Sequence, residues 1–159
     1  MTERPKVNDE MRLAAAAVIA ARLVKAGHIE ANAVDQHAND LAQYGGDSAD
    51  GYELAKDLDR RAHWDCNLDM ASILDGYSYE ISIEVEKAQK AWAVENNIQP
   101  PLPIGARVSI KTFKGDAQGT IDGVYEYGPA KYTVKLDGET GSTRRIVNFE
   151  DAKALETAP

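Results

Sequence analysis

The sequence predicts an α+β protein, an N-terminal helical bundle followed by a small β domain, and three features carry that expectation. Residues 1–98 are acidic and Ala-rich, with apolar side chains recurring at three- and four-residue steps. Residues 104–159 fall into short alternating runs punctuated by glycine. Between them, residues 99–103 hold Pro100, Pro101 and Pro103, which remove amide donors and force extended backbone, so a stiff linker is expected to divide two domains.

In the first domain, "MRLAAAAVIAARLVKA" predicts a helix from Asn8 or Asp9 to Ala26, with an Asx cap at its start and Gly27 as its stop. Its surface is apolar almost all round, which predicts a central, largely buried helix. A second helix is expected over residues 30–44, where Val34, Ala38 and Leu41 form one face and Gly45-Gly46 ends the run. A third starts at Asp50, with Glu53 in the capping-box position and Leu54, Leu58 and Ala62 as its stripe. Residues 77–86, "YSYEISIEVE", alternate as a strand would, yet Ala71, Leu74, Ser78, Ile81, Val85, Ala88 and Trp92 keep a helical step over a longer span. Helix is therefore expected across residues 67–96, bent or broken at Gly76.

The second domain offers "ARVSIKTF", "QGTIDGVYE", "KYTVKLD" and "STRRIVNF" as strands with one core face and one wet face. Their core is expected to include Val108, Ile110, Ile121, Val124, Tyr132, Val134, Leu136 and Ile146, and "NFEDAKAL" reads as a closing turn with a short helix. Gly105, Val108, Gly115, Gly119 and Ile121 follow the Gly-x-x-Val and Gly-x-x-x-Gly-x-Ile spacing of the small KOW-type barrels, and this part of the chain resembles them. The resemblance implies an SH3-like β-barrel over residues 104–159 and a nucleic-acid or ribonucleoprotein partner for it. Residues 1–98 resemble no such family.

Of the 159 residues, 43% are hydrophobic and 28% charged, the balance of an ordinary globular chain. The N-terminus has no apolar segment of signal-peptide type, and the Ala-rich run is too short to span a bilayer, so a cytoplasmic protein without a membrane partner is expected. The single Cys66 excludes an intramolecular disulfide and a Cys-based zinc site.

Charge is divided unequally. Residues 1–103 hold 18 acids and 10 bases, whereas residues 104–159 hold 8 of each, so the net charge of −8 belongs to the helical part. Such a field repels phosphate and favours basic partners.

No catalytic signature accompanies these features. His63, Trp64, Asp65 and Cys66 place a thiol near an imidazole, but no second His, oxyanion motif or Gly-rich elbow joins them, and a buried Cys beside a packed Trp at a helix end is the expected reading. His28, His37 and His63 have no metal-ligand spacing, and the loop at residues 47–53 lacks a calcium ladder, so no metal and no cofactor are expected. The candidate partner-binding residues are Asp47, Asp50, Glu53, Asp57 and Asp59, spaced carboxylates that present a phosphate-like field. Arg107, Lys111, Lys131, Lys135, Arg144 and Arg145, with Phe113, Tyr125 and Tyr127 for stacking, are the candidate nucleic-acid contacts.

The expected function is non-enzymatic binding: an accessory protein of prokaryotic or phage type whose acidic helical face docks on a basic protein or nucleoprotein complex, in its narrowest form as an inhibitor of a nucleic-acid-processing or defence complex. The alternative is a nucleic-acid or ribonucleoprotein adaptor that works through the barrel.

Overall fold

A computed structural model describes residues 2–155; Met1 and residues 156–159, the end of the segment assigned to the barrel, lie outside the described residues. The chain is α+β, helical in its N-terminal part and then a five-stranded antiparallel sheet. It divides into two compact units between Ala88 and Gln89.

The first unit begins with α1 (Asp9–Lys25), where Asn8 caps by accepting from the Met11 amide at 2.9 Å. Asp9 and Glu10 occupy its positive end, and Arg22 and Lys25 its negative end. Gly27 leaves the helix at φ +80°, a conformation that glycine adopts without Cβ strain. The expectation of an all-round buried helix needs correction. Ala15, Ala16, Ile19, Ala20 and Leu23 are buried, whereas Leu13, Ala17, Val18 and Ala21 are exposed, because its neighbours α2 and α4 pack on one side only.

The expected second helix is split. A 3₁₀ turn (Ala31–Ala33), closed by the Ala33 amide on the Glu30 carbonyl at 3.0 Å, precedes α2 (Val34–Tyr44). Helix α3 (Gly51–Ala62) starts at the expected Asp50 cap and ends at His63, which takes the left-handed conformation at φ 59°. Residues 67–96 are helical as expected and broken at Gly76: α4 (Leu68–Leu74) is followed by α5 (Tyr77–Glu95), so the alternating "YSYEISIEVE" is helix. A Cβ at Gly76 would stand 3.0 Å from Nη1 of Arg22, so the break lies where α1 comes close.

The tightest approach in this unit is at Gly51. A Cβ there would stand 1.9 Å from the Ala71 carbonyl oxygen, and the Gly51 amide donates to Oδ1 of Asp75 at 2.9 Å. The start of α3 therefore lies against the end of α4, and the two form an antiparallel hairpin over a core that includes Leu54, Leu58, Met70 and Leu74.

In the second unit, β1 (Arg107–Thr112), β2 (Gly115–Val124), β3 (Lys131–Leu136), β4 (Arg145–Asn148) and β5 (Lys153–Ala154) pair in the order β4-β3-β2-β1-β5. The short helix expected in "NFEDAKAL" is a 3₁₀ turn (Phe149–Asp151), which leads the chain back to β1. Val108, Ile110, Ile121, Tyr132, Val134 and Leu136 form the core as expected, joined by Phe149 and Ala152. Val124 and Ile146 do not belong to it: both are about half exposed. Ile146 lies opposite Thr133 on the outer face, which turns Val147 inward, and Val124 is the last residue of β2, beyond a bulge at Asp122.

The proline segment is more than a spacer. Leu102 packs on the sheet core and holds the Tyr132 hydroxyl from both sides: its amide donates at 2.8 Å and its carbonyl accepts at 3.1 Å. Tyr132 in turn packs against the Phe149 ring, with centroids 4.4 Å apart.

Because the Ala71 carbonyl is backbone inside a packed hairpin, it has no room to yield to a side chain at position 51. Gly51→Ala should destabilise the protein by roughly 1–3 kcal/mol or more in chemical denaturation. A variant as stable as the parent would show that α3 and α4 separate without loss.

Candidate functional site

The five acids singled out by sequence fall on one region but are not equally available. Asp47 is taken up by Arg12, whose Nε and Nη2 donate to its two carboxylate oxygens at 2.7 and 2.9 Å. Asp50 is the α3 cap, Asp57 pairs with Arg60 at 3.0 Å, and Asp59 accepts from the Cys66 amide at 2.9 Å. Glu53 alone of the five is exposed with no side-chain hydrogen bond or ion pair among the described residues.

The α3–α4 connection explains what remains open. His63 reverses the chain, Trp64 is buried with its indole N–H donating to Oδ2 of Asp40 at 3.0 Å, and His37 packs on its ring at 4.6 Å. The Cys66 amide is tied to Asp59, and Asn67 caps α4 by accepting from Met70 at 2.9 Å. Held at these points, the turn presents Asp65, Leu68 and Asp69 to solvent, with Leu68 80% exposed. The side chains of Asp65 and Asp69 make no hydrogen bond or ion pair among the described residues. Sequence reasoning missed Leu68, since it lies three residues before Ala71 and looks like the start of the buried stripe.

Among the described residues His63 and Cys66 make no hydrogen bond to each other. Burial pushes the Cys66 thiol up to about 12, helped by the neighbouring carboxylates of Asp59 and Asp65. A thiol so placed carries almost no thiolate at neutral pH. Among the described residues no three His, Cys, Asp or Glu side chains are grouped to hold a metal ion. A cleft of about 310 Å³ beside Asp9, Arg12, Gln43 and Asp47 is polar, and its charges are already paired with one another. The Tyr77 hydroxyl is buried without a hydrogen-bond partner, and its burial, with Asp47 nearby, pushes it up to about 12.

On the sheet, strand register puts Arg107, Thr120 and Lys135 side by side on β1, β2 and β3, and Lys111 and Lys131 on the same outward face. Arg107 is consumed by Asp137, a bidentate pair with one bond of 2.7 Å, which raises its pKa and lowers that of the carboxylate. It also donates to the Thr120 hydroxyl at 3.0 Å. Arg144 pairs with Asp122 at 2.7 Å and Arg145 with Glu139 at 2.9 Å; Arg145, opposite Val134, is not on the outward face with the others. Lys111, Lys131 and Lys135 make no ion pair among the described residues. Tyr125 and Tyr127 meet edge to face at 5.6 Å, while Phe113 is exposed under the ammonium of Lys114.

Among the described residues no helix is long and apolar enough to cross a membrane. Comparison with known protein families, with curated proteins and with solved structures finds no match to this chain.

Two outcomes follow from the titrating groups. The bonds from Arg12 hold the Asp47 carboxyl below its ordinary value of 3.8, so its stabilisation is complete above that pH and is lost as pH falls through the lower folded value. Thermal melts should show Asp47→Asn less stable than the parent at pH 7 and the difference closing near pH 2; a constant difference would contradict the ion pair. Cys66 should react with iodoacetamide at pH 8 about a hundredfold or more slowly than a free cysteine. Alkylation at the free rate would show an accessible thiolate.

Proposed function

We propose that this chain acts by binding rather than by chemistry, docking the α3–α4 face of its acidic helical unit on a basic surface of a protein or nucleoprotein complex. The observation that carries the reading is Leu68, a large apolar side chain 80% exposed and flanked by the open carboxylates of Asp65 and Asp69. An apolar anchor ringed by charge is the arrangement in which a few residues dominate binding energy while the charges steer association. Glu53 adds an open carboxylate in the first turn of α3, toward the other end of the hairpin. Asp47, Asp50, Asp57 and Asp59 contribute field, but their geometry serves the fold first.

The net −8 of residues 1–103 supports a basic partner and disfavours direct phosphate contact by this unit. In its narrowest form the reading is a cytoplasmic accessory protein of prokaryotic or phage type that inhibits a nucleic-acid-processing or defence complex by occupying its basic groove. No cofactor is required for such a role.

A second reading draws on the sheet, where Lys111, Lys131 and Lys135 share a face and Tyr127 is exposed beside Tyr125. Lysines that neutralise phosphates and rings that stack on bases suit a single-stranded nucleic acid or ribonucleoprotein adaptor.

Affinity capture from a prokaryotic lysate with the full chain separates the two. Docking through α3 and α4 predicts a basic partner lost as salt rises, held about tenfold more weakly by Leu68→Ala and more weakly still by Glu53→Lys with Asp69→Lys. Leu68 and the two acids are solvent-facing, so melting temperatures should hold. A partner that survives all three substitutions and depends instead on Lys111, Lys131 and Lys135 would move the function to the sheet.

A further inference from the structure

Helix α1 has two apolar faces and the fold covers one. Opposite the buried residues, Leu13 is 41% and Val18 36% exposed, with Ala17 and Ala21 exposed beside them and Ala14 and Val24 half covered. No charged side chain interrupts this face between Glu10 and Lys25. The other charges of the helix are engaged elsewhere: Asp9 with Arg12, Arg12 also with Asp47, and Arg22 with Glu80. Glu10 and Lys25, at the two ends of the uncovered face, are exposed and make no ion pair among the described residues.

We infer that this face pairs with the same face of a second copy, the two α1 helices lying antiparallel across a two-fold axis. The charge pattern selects that occupant. An axis between Ala17 and Val18 sets Ala17 against Val18 of the second copy, Ala14 against its Ala21, and Glu10 against its Lys25, each contact occurring twice. A parallel arrangement would oppose Glu10 to Glu10. Antiparallel helices also set each positive end beside a negative one. The alanines at the centre let the axes approach to about 8 Å, close enough for Leu13 and Val18 to lose water at the flanks. A helix of 17 residues is about 25 Å long, and its contact falls well below the roughly 1,200 Å² of a standard complex. The dimer is therefore weak and reversible, forming in the micromolar range or above.

Sedimentation equilibrium of the full chain from about 1 µM to about 1 mM tests this, a span chosen for weak interfaces. The parent should pass from monomer to dimer, and Ala17→Glu, which buries like charges at the axis, should weaken association at least about tenfold. Glu10→Lys and Lys25→Glu should each weaken it alone and recover when mixed in equal amounts, because each then supplies the charge that the other lacks. Recovery on mixing is a readout that a simple folding defect does not produce. A parent monomeric throughout the range, association indifferent to Ala17→Glu, or a mixture no tighter than either variant alone would overturn the inference.

Discussion

The helical unit depends on a missing side chain. With no Cβ at Gly51, the first turn of α3 can lie against the Ala71 carbonyl and pass its amide to Asp75, which locks α3 and α4 into a close hairpin. The hairpin fixes where the connecting turn must run. Trp64 anchors it to Asp40, Cys66 to Asp59, and Asn67 restarts the helix, which leaves Leu68 no inward position. A buried glycine contact thus governs which side chains are shown to solvent some seventeen residues later.

Carboxylates in this unit serve two purposes that composition alone does not separate. Some are structural: Asp50 caps, Asp47 fastens the loop before α3 to α1, Asp40 and Asp59 hold the turn, and the largely buried Glu80 receives Arg22. Others, among them Glu53, Asp65 and Asp69, make no side-chain hydrogen bond or ion pair among the described residues and stand open to solvent. The sheet divides its charges similarly, with three arginines paired to carboxylates and three lysines left open.

Local signals were readable wherever a residue acts on its own neighbours. Asn8 and Asp50 are caps, Gly27 stops a helix, Gly76 breaks one, and the alternation of β1 and β3 finds five of the core side chains. What sequence could not show depends on register or on who packs against whom. Ile146 and Val147 are equally apolar, and only pairing with β3 decides which faces inward. Leu68 looks like core until the hairpin places it outside, and α1 looks buried until its neighbours prove to lie on one side. The sites follow the same rule: the acidic region was visible as a count of charges, but the commitment of Asp47, Asp57 and Asp59 to partners up to 35 residues away was not.

Hydrogen exchange on the full chain, alone and bound to the basic protein it captures, tests whether the α3–α4 face is the docking surface proposed above. Docking there slows exchange in residues 63–75 and at the start of α3 and leaves residues 107–136 unchanged. Protection confined to the sheet, and none around Leu68, would contradict it.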